Sequence, residues 1–273
     1  MESQMTLPAT ETLALREEGF VLHVTLNRPE SRNAMSLQMT QELRAVFAAI
    51  AGSDTVRAVV LRGAGGHFCA GGDIKDMAGA RQRAMESGND EAYAELNRAF
   101  GHMITEVDHA PQVVIAVLEG AVMGGGFGLA CVSDVAIVHQ NAKFALPETG
   151  LGILPAQIAP FVVQRVGFTQ ARRLALLGAR FDGREAVQVG IAHHEAADAA
   201  AIDALLAATL DQVKRCAPQA NRATKALLHR VGKEPMDALL NDAARQFARA
   251  VAGPEGAEGT MAFVQKRAPK WAE

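Results

Sequence analysis

The stretch Gly120-Ala121-Val122-Met123-Gly124-Gly125-Gly126-Phe127-Gly128-Leu129-Ala130 follows directly on an apolar, β-branched run at 113–118. A strand that ends in glycines and leads into a small-residue helix is a strand–turn–helix unit. A second such stretch lies fifty residues earlier. There His67-Phe68-Cys69-Ala70-Gly71-Gly72-Asp73-Ile74-Lys75 follows the run at 56–61. Consecutive glycines let backbone approach a ligand and leave N–H groups without a Cβ in the way. At a helix N-terminus those N–H groups are unpaired and sit at the positive end of the dipole, which suits an anion or a developing oxyanion. Either stretch alone reads equally well as a tight turn. Neither is a nucleotide cradle, because the spacing is not Gly-x-Gly-x-x-Gly and Gly-Lys-Ser/Thr occurs nowhere in the chain.

Outward from these turns the pattern is α/β. Strands are expected at 20–26, 56–61, 113–118 and 135–138. A helix opens at Ser36 and carries Met39, Leu43, Val46, Phe47 and Ile50 at three- and four-residue spacing, closing at Gly52. Residues 74–97 are polar and read as a helix, a mobile loop at 87–90 and a second helix at 91–107. From Phe168 onward only helices are expected: 169–177, 184–189, 198–216, 218–231 and 235–251. The chain thus divides into a core at 1–197 and a helical oligomerisation region at 198–273.

Composition narrows the class. The 273 residues are 49% hydrophobic and 21% charged, with net charge −3, which is globular and able to bury a core unaided. There is no basic stripe for nucleic acid and no run long enough to span a membrane. Cys69, Cys131 and Cys216 are odd in number and far apart, so they read as reduced thiols. No signal peptide is visible at the N-terminus, and a cytoplasmic protein is expected. His193-His194 cannot put both rings on one helix face, and without His-x-x-x-His or Cys-x-x-Cys no metal site is expected. Asp134 reads as a structural pairing residue.

The ordered series Asn27-Arg28-Pro29, Arg32-Asn33-Ala34-Met35, Phe68-Cys69-Ala70-Gly71-Gly72-Asp73-Ile74, Gly124-Gly125-Gly126, Phe144-Ala145-Leu146-Pro147-Glu148 and Gly150-Leu151-Gly152-Ile153-Leu154-Pro155 resembles the enoyl-CoA hydratase/isomerase (crotonase) superfamily. The resemblance continues to the C-terminal Glu258-Gly259-Thr260-Met261-Ala262-Phe263. It implies a crotonase-like spiral of ββα repeats with a C-terminal helical trimerisation region, a homotrimer or dimer of trimers, and an acyl-CoA substrate. Coenzyme A is then part of the substrate, and no other cofactor is implied. The motifs carry the thioester oxyanion hole onto the amides of Gly72 and Gly125. CoA contacts fall on Arg28, Arg32, Ala34, Ala70, Asp73, Ile74, Phe263 and Lys266; Arg28 and Arg32 read equally as solvated surface arginines.

Hydratases of this family use two glutamates. The second maps to Glu148, the first to Gly128, where no carboxylate exists. Flanked by Phe144, Leu146, Leu151 and Ile153, Glu148 is expected to have a raised pKa and to serve as both acid and base. The segment Ala156-Gln157-Ile158-Ala159-Pro160-Phe161-Val162 resembles that of bacterial hydratases of 3-branched glutaconyl-CoA thioesters, isohexenylglutaconyl-CoA before methylglutaconyl-CoA. The substrate's own distal carboxylate is then expected to take the place of the missing glutamate. Met77, Met85, Phe100, Met103 and Phe161 are candidate walls for the acyl tail, though each is also ordinary core material. A one-glutamate isomerase and a non-catalytic CoA-binding scaffold are the competing readings.

Overall fold

The computed structural model describes residues 6–273. The elements are β1 (Leu13–Glu18), β2 (Val21–Leu26), α1 (Leu37–Ile50), β3 (Ala58–Gly63), α2 (Ile74–Ser87), α3 (Glu91–Asp108), β4 (Val113–Leu118), β5 (Ala121–Met123), α4 (Gly125–Val132), β6 (Val135–His139), β7 (Lys143–Ala145), α5 (Ala159–Leu176), β8 (Arg180–Asp182), α6 (Gly183–Gln188), β9 (His194–Ala196), α7 (Ala199–Arg215), α8 (Pro218–Leu228), α9 (Met236–Ala252) and α10 (Pro254–Val264). They form a six-stranded sheet in the order β1-β2-β3-β4-β6-β9 and a three-stranded sheet in the order β5-β7-β8. In the large sheet only the β1–β2 pair is antiparallel.

The central strands read as continuous apolar runs because both of their faces are covered. Along β3 and β4 the side chains alternate between two clusters. Val59, Leu61, Val114 and Ala116 join the main core with α1 and α3, while Ala58, Val60, Ile115 and Val117 join Ile202 and Val213 of α7. A buried side chain of this size contributes roughly 1.5–3 kcal/mol, so α7 is a structural layer of the sheet. β1 is the edge strand, and its exposed Arg16, Glu17 and Glu18 discourage further pairing.

The expected helix from Ser36 is α1, and the Ser36 hydroxyl caps it by accepting from the Met39 N–H at 3.1 Å. The expected break at 87–90 is a short turn in which Gly88 closes α2 in the left-handed conformation. The strand-free reading from Phe168 is corrected by β8 and β9. Each has only three residues, too few for a period-two signal, and both exist because a neighbouring strand offers a free edge. β1, β5, β7 and α10 were likewise unforeseen. The helix expected at 169–177 begins instead at Ala159 and is interrupted at Gly167, whose φ of +75° is outside helical geometry.

Asp134, at the start of β6, fastens this framework. Its carboxylate accepts from the Val114 N–H at 2.7 Å and pairs with Lys225 of α8 at 2.6 Å. The Lys225 side chain is only 12% exposed. Asp134→Ala therefore leaves the Val114 N–H unpaired and removes the charge partner of a nearly buried ammonium, which keeps only Gln112 O at 3.1 Å. The expected result is a loss of about 2 kcal/mol in denaturant unfolding, with the Asn variant losing less.

Candidate active site

The two glycine turns abut. A parallel bridge joins Cys69 to Val122, with Cys69 N–H donating to Ala121 O at 2.9 Å and Met123 N–H to Cys69 O at 2.9 Å. At Gly126 a Cβ would lie 2.7 Å from Cys69 Cβ and 2.8 Å from Cys69 O, so only glycine allows this approach. Gly124 sits at φ +48°, where an added Cβ would meet Gly71 Cα at 3.4 Å. The surrounding amides are committed: Gly124 N–H donates to Ala145 O at 3.2 Å and Asp73 N–H to Met35 O at 3.0 Å. The N–H groups of Gly72 and Gly125 have no partner among the described residues. Gly125 is also the first residue of α4, where the helix dipole adds to the pull on an oxyanion.

Glu148 opens a short 3-10 turn after Pro147, which brings its Oε1 to 3.2 Å from the Cβ position of Gly124. Its Oε2 is buried without a hydrogen-bond partner, the one carboxylate oxygen in that condition among the described residues. Burial pushes its pKa above the ordinary carboxylate range, offset in part by its own backbone N–H. The sequence-based direction of this shift thus agrees with the structure, but the apolar wall is partly different. Phe144 and Leu146 are buried, whereas Leu151 is 71% and Ile153 47% exposed. The turn that aims Glu148 inward sends those two side chains outward.

Beside Gly128 there is no room for the absent glutamate. A Cβ there would lie 2.5 Å from Ile158 Cγ2 and 2.8 Å from Ile104 Cδ1. Two isoleucine methyl groups thus pack where a side chain of residue 128 would start. Phe100, one turn before Ile104 on α3, lies 3.0 Å from the Cβ position of Gly125 and so lines the site. Of the other suggested walls, Met103 is wholly buried in the core and Phe161 packs against it. Met77 and Met85 are exposed.

Five of the suggested CoA contacts, Arg28, Arg32, Ala34, Ala70 and Asp73, form one knot next to Gly72, with Ile74 at its edge. Arg28 pairs with Asp73 at 2.7 Å and donates to Ala34 O at 2.6 Å. Ala70 N–H donates to Arg32 O at 3.0 Å, and Asp73 caps α2 through the Lys75 N–H at 2.7 Å. Ile74 is 84% exposed. Burial acts against the Asp73 carboxylate, but the Arg28 bond and the helix-cap amides bring its pKa below the ordinary value. The knot is held by Asn33, which the sequence reading did not single out. Its Oδ1 accepts from Arg28 N–H at 2.8 Å and its Nδ2 donates to Ala64 O at 2.9 Å and His67 O at 2.6 Å. Arg32 and Asn33 have φ of +51° and +56°, and asparagine's tolerance of that region was the available signal. Phe263 and Lys266 lie at the exposed end of α10, and nothing within the chain brings them to this knot.

Burial pushes Cys69 up to about 11 and Cys131 up to about 12, so both stay protonated, and all three cysteines are free. His193 accepts from the Ala136 N–H at 3.0 Å. A different cluster, Asp108, His109 and His229, has potential ligand atoms within 4.8 Å of one another. Motif spacing such as His-x-x-x-His does not reveal it, because His229 comes from 120 residues along the chain. His229 Nε2 donates to Asp108 O at 2.9 Å and its ring stacks on His109 at 4.3 Å, which secures α8 to the end of α3. No helix among the described residues is long and apolar enough to cross a membrane.

Comparison with known proteins agrees with this geometry. The sequence profile of the family "Enoyl-CoA hydratase/isomerase" matches residues 16–273. The solved structure of Pseudomonas aeruginosa AtuE is 64% identical, with a TM-score of 0.93 over 96% of this chain and 100% of that one. An enoyl-CoA hydratase/isomerase from Marinobacter aquaeolei is 60% identical, with a TM-score of 0.92 over 96% and 99%. The enoyl-CoA hydratase ACTT6 of Alternaria alternata is 31% identical over 251 residues, 91% of this chain and 80% of that protein. With its glycine turns, its inward carboxylate and these relatives in agreement, the chain belongs to the enoyl-CoA hydratase/isomerase family.

Proposed function

We propose that this enzyme hydrates the double bond of a 3-branched glutaconyl-CoA thioester, isohexenylglutaconyl-CoA in acyclic terpene breakdown before methylglutaconyl-CoA in leucine breakdown. The thioester oxygen accepts from the Gly72 and Gly125 amides. Glu148, as carboxylate, takes a proton from water while the oxygen of that water bonds to C3. The electron pair of the double bond moves to the thioester as an enolate held by the two amides. Glu148 then returns its proton to C2. One hydroxyl and one hydrogen have been added, and the carboxylate is regenerated. Pre-aimed donors at a developing oxyanion contribute several kcal/mol.

The observation that carries this reading is the buried Glu148 oxygen with no partner in the protein. Such an atom is expensive to keep and is satisfied by water or substrate. Its raised pKa brings acid and base forms closer in energy near neutrality, as a group that must both accept and donate requires. The packed isoleucines at Gly128 support a single-acid scheme.

Coenzyme A enters as part of the substrate, with Arg28, Arg32, Ala34, Ala70, Asp73 and Ile74 beside it and Phe263 and Lys266 reaching a neighbouring subunit's CoA. That geometry calls for a homotrimer or a dimer of trimers. The exposed Met236, Leu240, Phe247, Val251 and Phe263 of α9 and α10 supply an apolar face for it.

A panel of linear and 3-branched enoyl-CoA thioesters tests the substrate assignment. The expected outcome is highest kcat/KM on the branched glutaconyl thioesters, with loss of the conjugated-enoyl absorbance and a gain of the mass of water. Product of unchanged mass would assign the isomerase reaction instead.

A further inference from the structure

The end of α3 meets α8 at Asp108, His109 and His229. Among the described residues these are the one group of three metal-ligating side chains whose ligand atoms lie within 4.8 Å of one another. The Asp108 side chain is 12% exposed, and its Oδ2 faces His109 Nδ1 at 3.2 Å and His229 Nδ1 at 3.6 Å. Lys225, one turn before His229 on α8, is committed elsewhere. Its ammonium pairs with Asp134 at 2.6 Å and donates to Gln112 O at 3.1 Å.

The His229 ring has a defined tautomer. Its Nε2 lies 2.9 Å from Asp108 O, and a carbonyl only accepts, so Nε2 carries the proton. In the neutral ring Nδ1 is then a bare lone pair on the side of a carboxylate. His67, His139 and His193 differ: Nδ1 of each meets a backbone N–H, of Ala121, Asn141 and Ala136, at 3.1, 3.1 and 3.0 Å. At His229 two electron-rich atoms face each other instead, an arrangement that calls for a cation between them. A backbone carbonyl that takes the far N–H of an imidazole is also the usual support of a metal-ligating histidine. The spacing agrees, since ligands bound to a tetrahedral Zn²⁺ stand about 3.4 Å apart. Burial pushes the Asp108 carboxyl above its usual range in spite of the imidazoles and Lys225, and a bound cation offsets that penalty.

We propose that Asp108, His109 and His229 form a structural site for a divalent transition-metal ion of the Zn²⁺ class. Two imidazoles and one carboxylate suit Zn²⁺ and not Mg²⁺ or Ca²⁺, which take oxygen ligands. Asp108 and His229 stand ready, and His109 completes the set by turning. It must turn because its ring stacks on His229 with 16° between the planes, and one ion cannot lie in both ring planes. The His109 side chain is 47% exposed, which leaves it room. Water takes the fourth position. The ion ties α8 to α3 and stabilises the folded chain according to its occupancy. The three residues lie outside the constellation of Gly72, Gly125 and Glu148, so the site stands or falls apart from the proposed reaction.

Full-length protein without an affinity tag, stripped of metal by a chelator, is titrated with ZnCl₂ by calorimetry. One equivalent is expected to bind, and the melting temperature to rise with ZnCl₂ but not with MgCl₂. His229→Gln, whose amide can still donate to Asp108 O, and His109→Ala are each expected to weaken binding by about tenfold or more. Cys216→Ser, which removes the exposed thiol, is expected to leave it unchanged. With Co²⁺ as the probe, the intense visible absorption of tetrahedral coordination is expected in the wild type and absent in His229→Gln. Failure of the wild type to bind ZnCl₂, which would leave a proton as the cation at His229, overturns the site. So does binding as tight in His229→Gln as in the wild type, or binding lost in Cys216→Ser.

Discussion

Glu148→Gln is expected to lower kcat on the best enoyl-CoA by about 10³-fold or more, because in the proposed reaction one residue performs both proton transfers and each such transfer is worth about 10²–10⁴. The same substitution is expected to raise the melting temperature at neutral pH. Burial penalises the carboxylate form, so the folded-state pKa lies above the unfolded value near 4.5. A raised acid pKa means that the folded protein binds the proton more readily than the unfolded chain. Stability therefore falls as pH rises from the unfolded pKa through the folded one, and stays reduced above it. The stabilising effect of Glu148→Gln should be full above the folded pKa and vanish below about pH 4.5. A variant that loses activity without gaining stability at neutral pH would show that the buried oxygen is satisfied within the resting protein. Loss of activity with gained stability is the pattern of a group kept for chemistry at the expense of the fold.

Restoring the family's usual first glutamate by Gly128→Glu should damage the protein instead of improving it. The Cβ alone would overlap Ile158 Cγ2 at 2.5 Å and Ile104 Cδ1 at 2.8 Å. Overpacking of this kind costs about 1–3 kcal/mol, and a carboxylate placed between two isoleucines adds desolvation of about the same size. The expected result is a loss of about 3 kcal/mol or more in urea unfolding, with hydration reduced. The double variant Gly128→Glu/Ile158→Gly removes the closest clash and should recover part of the stability. A single variant as stable as wild type would mean that the isoleucines yield easily, and that the site has latent room for a second acid.

Much of this site is legible in the sequence because it is built from backbone. Glycines at 71–72 and 124–126 announce turns where a chain must approach closely, and a strand before each fixes which way the turn faces. The upward pKa shift of Glu148 is legible from its neighbours Phe144 and Leu146, which are buried. What the sequence could not show is contact across the fold. Ile158 and Ile104 are 54 residues apart in number, and only their meeting at Gly128 turns an apparent vacancy into a plug. Three-residue strands such as β8 and β9 escape for a related reason: tertiary pairing makes them, not local periodicity. Leu151 and Ile153 mislead in the opposite sense, since apolar residues beside a functional turn are free to face solvent.

The central claim is that two unpartnered amides and one lone carboxylate converge on a thioester. A crystal structure with a bound 3-hydroxyacyl-CoA product tests it most directly. The thioester oxygen is predicted within about 3.2 Å of both the Gly72 and Gly125 nitrogens, and the C3 hydroxyl within hydrogen-bond distance of Glu148 Oε2. A thioester oxygen that touches neither amide, or a Glu148 side chain turned away from C2 and C3, would contradict it.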